Sequence, residues 1–144
     1  MKPTLKAGIL AAALVLTAPI HAVTAADVVV SKGKFHGGPH APADTASGGV
    51  SLVRLDGGRY ELRLGDDFNS TKGPDIFIYL SAAEDPPDDA SVAQSEFVDA
   101  GKLDSPKGGQ NFLLPEGFKP GNFKSVAVWC KQFGVLFGAA PLAP

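Results

Sequence analysis

The sequence predicts an all-β domain, a small antiparallel β-sandwich or barrel of about seven to nine short strands. Three observations carry that expectation. Glycine (17) and proline (12) in 144 residues exceed the roughly 12% of average usage, and they fall between short apolar runs, where tight turns need them. Runs rich in Val, Ile, Leu, Phe and Tyr recur every 8 to 12 residues or so, the spacing of strands in a sandwich or barrel. No stretch beyond the N-terminal segment shows the 3.6-residue apolar repeat of an amphipathic helix.

The N-terminal segment stands apart from the domain. Lys2 and Lys6 make its start positive, residues 7–18 are uncharged and apolar, and small residues close it at Val23, Thr24, Ala25 and Ala26. That is the build of a cleavable secretory signal peptide. The apolar run is shorter than the roughly 20 residues of a spanning helix. The expectation is a signal peptide over 1–26, cut after Ala25 or Ala26, and one domain over 27–144 that is periplasmic or secreted. No membrane insertion is expected after the cut.

Along the domain, residues 28–31 and 33–36 read as a first strand or two short ones, and the Gly/Pro/Ala-rich stretch 37–48 as a loop. Residues 49–55 and 59–64 flank Asp56-Gly57-Gly58, a hairpin, because such turns need positive φ angles that Gly supplies. Tyr60, Leu62 and Leu64 alternate with Arg59, Glu61 and Arg63, the mark of a strand with one dry face. After Gly73-Pro74, residues 76–80 are all apolar or aromatic and read as a central strand. The acidic, proline-containing segment 84–95 reads as a loop. Residues 97–103, 110–114, 123–131 and 133–137 complete the strands, with Gly134 and Gly138 at turns or bulges and a frayed Ala/Pro-rich end.

Charge and absences prune the function. The formal net charge is −2, and the leader removes basic residues only, so the domain lacks the basic surface that nucleic acid or anionic lipid requires. A blue-copper centre needs Cys, two His and an axial ligand, usually Met, but Met1 is the only Met and no His follows Cys130. A structural zinc site wants four Cys/His-type ligands, and no Gly-x-Ser-x-Gly elbow or phosphate-cradling loop is present.

Three constellations remain. Strand alternation places Val126, Val128 and the single cysteine, Cys130, on one face and Ala127, Trp129 and Lys131 on the other. If the valine face is the core side, the thiol points inward, as either inert packing or a redox group. His36 and His40 flank Gly37-Gly38-Pro39. Two imidazoles four apart could ligate a metal or a haem iron, or stand as solvent-facing loop residues. Asp66, Asp67, Asn69 and Asp75 offer oxygen ligands but match no calcium loop, and read as turn carboxylates.

The last third of the chain is more specific. Gly101-Lys102-Leu103, Gly109 to Pro115 (GQNFLLP) and Ser125 to Leu142 (SVAVWCKQFGVLFGAAPL) closely resemble the DM-thirteen domain family. Asp67-Phe68 and Gly73-Pro74-Asp75-Ile76-Phe77-Ile78-Tyr79-Leu80-Ser81 resemble its middle block, and Gly33-Lys34-Phe35, His40 and Gly48 its opening. In that family the domain stands alone in bacterial exported proteins and beside DOMON modules in Skeletor-like proteins. The resemblance implies an all-β fold and a role in electron transfer, with Cys130 as the redox-active group. His40, His36, Trp129 and Asp75 are candidate supporting residues. With one thiol and no cytochrome module, a separate redox or envelope protein is the expected partner, and any haem or metal would belong to it. The competing expectation is a non-enzymatic envelope binding module in which Cys130 is core. Either way the chain reads as an electron-transfer or binding domain rather than a stand-alone enzyme.

Overall fold

A computed structural model describes residues 25–144. The signal peptide expected over 1–26 therefore lies, apart from its last two residues, outside the described residues. Among the described residues no helix is long and apolar enough to cross a membrane.

Nine antiparallel strands form one sheet curled into a nearly closed barrel. They are β1 (Val28–Gly37), β2 (Ala46–Arg54), β3 (Tyr60–Leu64), β4 (Asn69–Ser70), β5 (Ile76–Ser81), β6 (Phe97–Lys102), β7 (Gln110–Leu113), β8 (Ser125–Cys130) and β9 (Val135–Pro141). Their order is β6-β5-β8-β9-β1-β2-β3-β7, with β4 paired to β2 off this path. The count lies within the expected range, and the barrel form is favoured over two separate sheets because β1 serves both halves. It pairs with β2 from Val28 to Phe35 and with β9 at His36 and Gly37. At the open seam the ring of Phe112 in β7 lies against Gly101 of β6.

The hairpin expected at 56–58 is present, with Gly57 and Gly58 at φ of +91° and +87°. Its second arm buries Leu62 and Leu64 and leaves Tyr60 half-buried. The central strand is also where the sequence puts it, since β5 lies between β6 and β8. Leu52, Leu62, Ile78, Leu80, Val126 and Val128 fill the barrel interior, and full burial of such a side chain contributes about 1.5–3 kcal/mol.

Three expectations are corrected. The acidic segment holds a short helix, α1 (Asp89–Ala93). The Asp88 carboxylate caps it by accepting from the Ser91 N–H at 2.8 Å, and buried Val92 packs it onto the outside of the barrel. Five residues are too few to display a 3.6-residue repeat, so the periodicity is silent there. The C-terminal end is not frayed. Lys32 and Ala143 exchange both backbone hydrogen bonds, at 2.7 and 2.8 Å, in the same register in which β1 pairs with β9 at His36 and Gly37. The loop expected over 37–48 is shorter, as β2 begins at Ala46 and pairs there with Ser70.

That early start of β2 depends on Gly48. Its φ is +100°, and an added Cβ would lie 2.6 Å from the Asp67 carbonyl oxygen and from the Phe68 Cα. Left-handed backbone at a non-glycine residue costs about 1–3 kcal/mol, and a clash with backbone adds to that. Gly48→Ala is therefore expected to lower the unfolding free energy by about 2–4 kcal/mol, read as a lower urea midpoint; an unchanged midpoint would contradict this account of how β2 begins.

Candidate functional site

Strand β8 places the candidate residues. All six of its side chains are buried, because the barrel interior covers one face and the α1 segment with its neighbours covers the other. Alternation then separates two chemistries. Val126, Val128 and Cys130 join the interior cluster. Ala127 and Trp129 join a second, outer cluster with Tyr79, Val92 and Leu136. The inward thiol expected from the sequence is thus present, and Trp129 is covered as well.

Cys130 is the last residue of β8 and is 1% exposed. It pairs in register with Ile76 on one side and Val135 on the other. The chain then turns through Lys131 to Gly134, closed by the Gly134 N–H donating to the Cys130 carbonyl at 2.8 Å. Gly134 has a φ of +65°, the left-handed conformation such a turn requires. On the far side, the Asp75 carbonyl accepts from the Lys131 N–H at 2.9 Å, so Asp75 supports the site through its backbone. Its carboxylate lies 3.5 Å from Lys102. Lys131 is directed away from the sulfur, 3.4 Å from the Asp99 carboxylate and over the Phe77 ring at 4.5 Å.

Cys130 is one of the residues that line a surface cleft of ≈ 330 Å³. Val135, Phe137 and Pro74 form apolar walls, and Asp44, Lys72 and Phe133 stand around it. Phe133 is 66% exposed. Neither Asp44 nor Lys72 enters an ion pair among the described residues. Sequence reasoning missed these cleft residues, since Asp44 and Lys72 sit in loops that only the fold brings to β8.

The two histidines lie elsewhere. His36 Nε2 is 2.7 Å from Asp85 Oδ1, and His40 Nε2 is 2.8 Å from Asp89 Oδ2. Asp89 also accepts from the Leu136 N–H at 2.7 Å. His36 at the end of β1 and His40 in the loop after it therefore clip onto the segment that leads into α1 and onto its first residue. Neither lines the cleft at Cys130. Their sequence signal was the matched spacing of 36/40 and 85/89, since each partner lies 49 residues on. Among the described residues no group of three or more His, Cys, Asp or Glu is arranged to hold a metal ion. Asp67, from the turn cluster, accepts from the Gly49 N–H at 2.9 Å, a turn carboxylate as read.

The Asp85 carboxylate, aided by the Gly37 carbonyl 3.1 Å from Nδ1, holds the His36 imidazole above its ordinary value of 6.5. Both ring nitrogens meet acceptors, so the protonated ring is favoured. A group whose folded value is raised contributes stability that is full below its unfolded value and lost as pH rises through its folded value. The expected outcome is that stability falls more steeply above pH 6.5 in the wild type than in His36→Gln. Urea unfolding across that range checks this, and parallel curves for the two proteins would refute it.

Residues 35–142 match the family model described as electron transfer DM13. No curated protein and no solved structure matches the chain. The match takes in β8, β9, the cleft and both histidines, nearly everything from the end of β1 onward, and on that extent the chain belongs to the electron-transfer DM13 family.

Proposed function

We propose that this chain is an exported electron-transfer module in which Cys130 exchanges with a sulfur group of a separate redox protein. The observation that carries the reading is the surface cleft lined in part by Cys130, the only cysteine of the chain. The family's association with electron transfer supports it. Support for export comes from the composition of residues 1–26.

With one thiol, internal dithiol–disulfide cycling is impossible, and exchange must run through a mixed disulfide. The Cys130 sulfur, its proton passed to water, attacks one sulfur of a disulfide on the partner. A Cys130–partner S–S bond forms as the partner's own S–S bond breaks, and the departing partner sulfur takes up a proton. An incoming thiol then attacks the Cys130 sulfur and releases the partner as a dithiol. A second incoming thiol frees Cys130 and leaves as the oxidised disulfide. Two electrons pass from two thiols to one partner disulfide, and Cys130 returns unchanged.

A second reading, an envelope binding module that uses Cys130 only as packing, is favoured by Phe133 and Phe97, which are 66% and 45% exposed. Exposed aromatics are common interface anchors. Cys130→Ser separates the two. Burying a hydroxyl without a partner is expected to cost about 1–3 kcal/mol, leaving a folded protein. Under the redox reading, rapid alkylation of an envelope extract traps a reducible adduct of the wild-type chain, and the folded Ser variant yields none. Partner capture unaffected by the substitution, with no reducible adduct in the wild type, would overturn it. The trapped chain is expected to begin at Ala26 or Asp27, which tests export in the same sample.

A further inference from the structure

The outer face of β8 carries an arrangement that the thiol does not use. Trp129 stacks on Tyr79 of β5, with ring centroids 6.2 Å apart and planes 27° from parallel. Tyr79 in turn stacks on Phe97 of the edge strand β6, at 4.4 Å and 12°. Tyr79 and Trp129 are 4% and 7% exposed, so both rings are held by packing. Their polar atoms are not. Neither the phenolic hydroxyl nor the indole N–H bonds to a protein group among the described residues, whereas every fully buried side-chain nitrogen and oxygen there has a partner. Neither of these two atoms is therefore fully buried among the described residues. Rigid rings in close sequence, each with its proton open to solvent, are what a proton-coupled one-electron exchange between an indole and a phenol requires.

We propose that Trp129 and Tyr79 form a one-electron relay, which moves an oxidising equivalent from the indole to the phenol. A small inorganic radical takes one electron from Trp129 and is reduced to its anion. The indole Nε1 proton leaves to water, giving a neutral indolyl radical. Tyr79 then gives one electron to that radical and its hydroxyl proton to water. The indole nitrogen regains a proton from water, so Trp129 is restored and a neutral phenoxyl radical remains on Tyr79. A reductant of the hydroquinone or enediol class returns one electron and one proton to Tyr79. The direction follows from chemistry, since near neutral pH a phenoxyl radical is a weaker oxidant than an indolyl radical. Phe97 covers the outer face of the Tyr79 ring and shields that radical from encounter with another chain.

The relay lies on the face opposite the thiol, so it stands or falls independently of the Cys130 reading. The chain holds one tryptophan and two tyrosines, which makes the assignment clean. The second, Tyr60, sits on β3 and packs edge-on against Phe118.

The test is pulse radiolysis of the full domain with azide radical, which attacks indoles preferentially. It is run on the wild type and on Cys130→Ser, so that the sulfur cannot compete. The expected result in both is decay of indolyl absorbance matched by growth of phenoxyl absorbance, first order and independent of protein concentration. Tyr79→Phe keeps the ring stack and removes only a solvent-facing hydroxyl. It is expected to lose the growth phase while its melting curve stays cooperative. Tyr60→Phe is expected to keep it. Growth that persists in Tyr79→Phe, that disappears in Tyr60→Phe, or that scales with protein concentration would overturn the relay.

Discussion

Coverage of β8 on both faces is the constraint from which the rest of the structure follows. A strand exposed on one side would place its odd-numbered or even-numbered side chains in water. Here the barrel interior takes Val126, Val128 and Cys130, while Tyr79, Val92 and Leu136 take Ala127 and Trp129. Because adjacent side chains of a strand point to opposite faces, the sulfur and the indole are neighbours in sequence yet separated by the sheet. Both positions are then held by register. Ile76 and Val135 flank Cys130, and Phe77 and Leu136 flank Trp129. A slip of one residue would exchange the two faces and bury a Lys131 side chain that now meets Asp99 at the surface.

This separation gives the two faces different chemistry. The inner face carries Cys130, buried among apolar side chains and one of the residues that line a surface cleft. The outer face offers stacked rings whose polar atoms meet water. The α1 segment is tied down over the outer side by Val92 and by two His–Asp pairs. The histidines thus support the sheet from outside and do not orient the sulfur. Their spacing, which suggested shared ligation, reflects two parallel clips instead.

Much of the fold was legible because strands announce themselves locally. Alternation from Arg59 to Leu64, the Asp56-Gly57-Gly58 turn and the unbroken apolar run of β5 each carry their own evidence. The inward direction of Cys130 was legible for the same reason. Helix α1 was not, because five residues cannot show a period and the Asp88 cap looks like one more loop carboxylate. The pinned C-terminus was not, because its partner, Lys32, lies at the far end of the chain. The cleft was beyond reach for a related reason. Asp44, Lys72 and Phe133 come from three separate connections, and nothing in their local sequence ties them to Cys130. Only the family resemblance linked that residue to electron transfer.

The central claim is that Cys130 is reached through the cleft of the folded protein and not by unfolding. The most direct measurement is the rate at which a small thiol-reactive disulfide modifies Cys130 at increasing urea concentrations below the unfolding transition. Access through the cleft gives a rate nearly independent of urea, because no large surface is exposed on the way. A rate that climbs exponentially, with the same denaturant dependence as global unfolding, would show that the sulfur is reached only in the unfolded chain and would contradict the account.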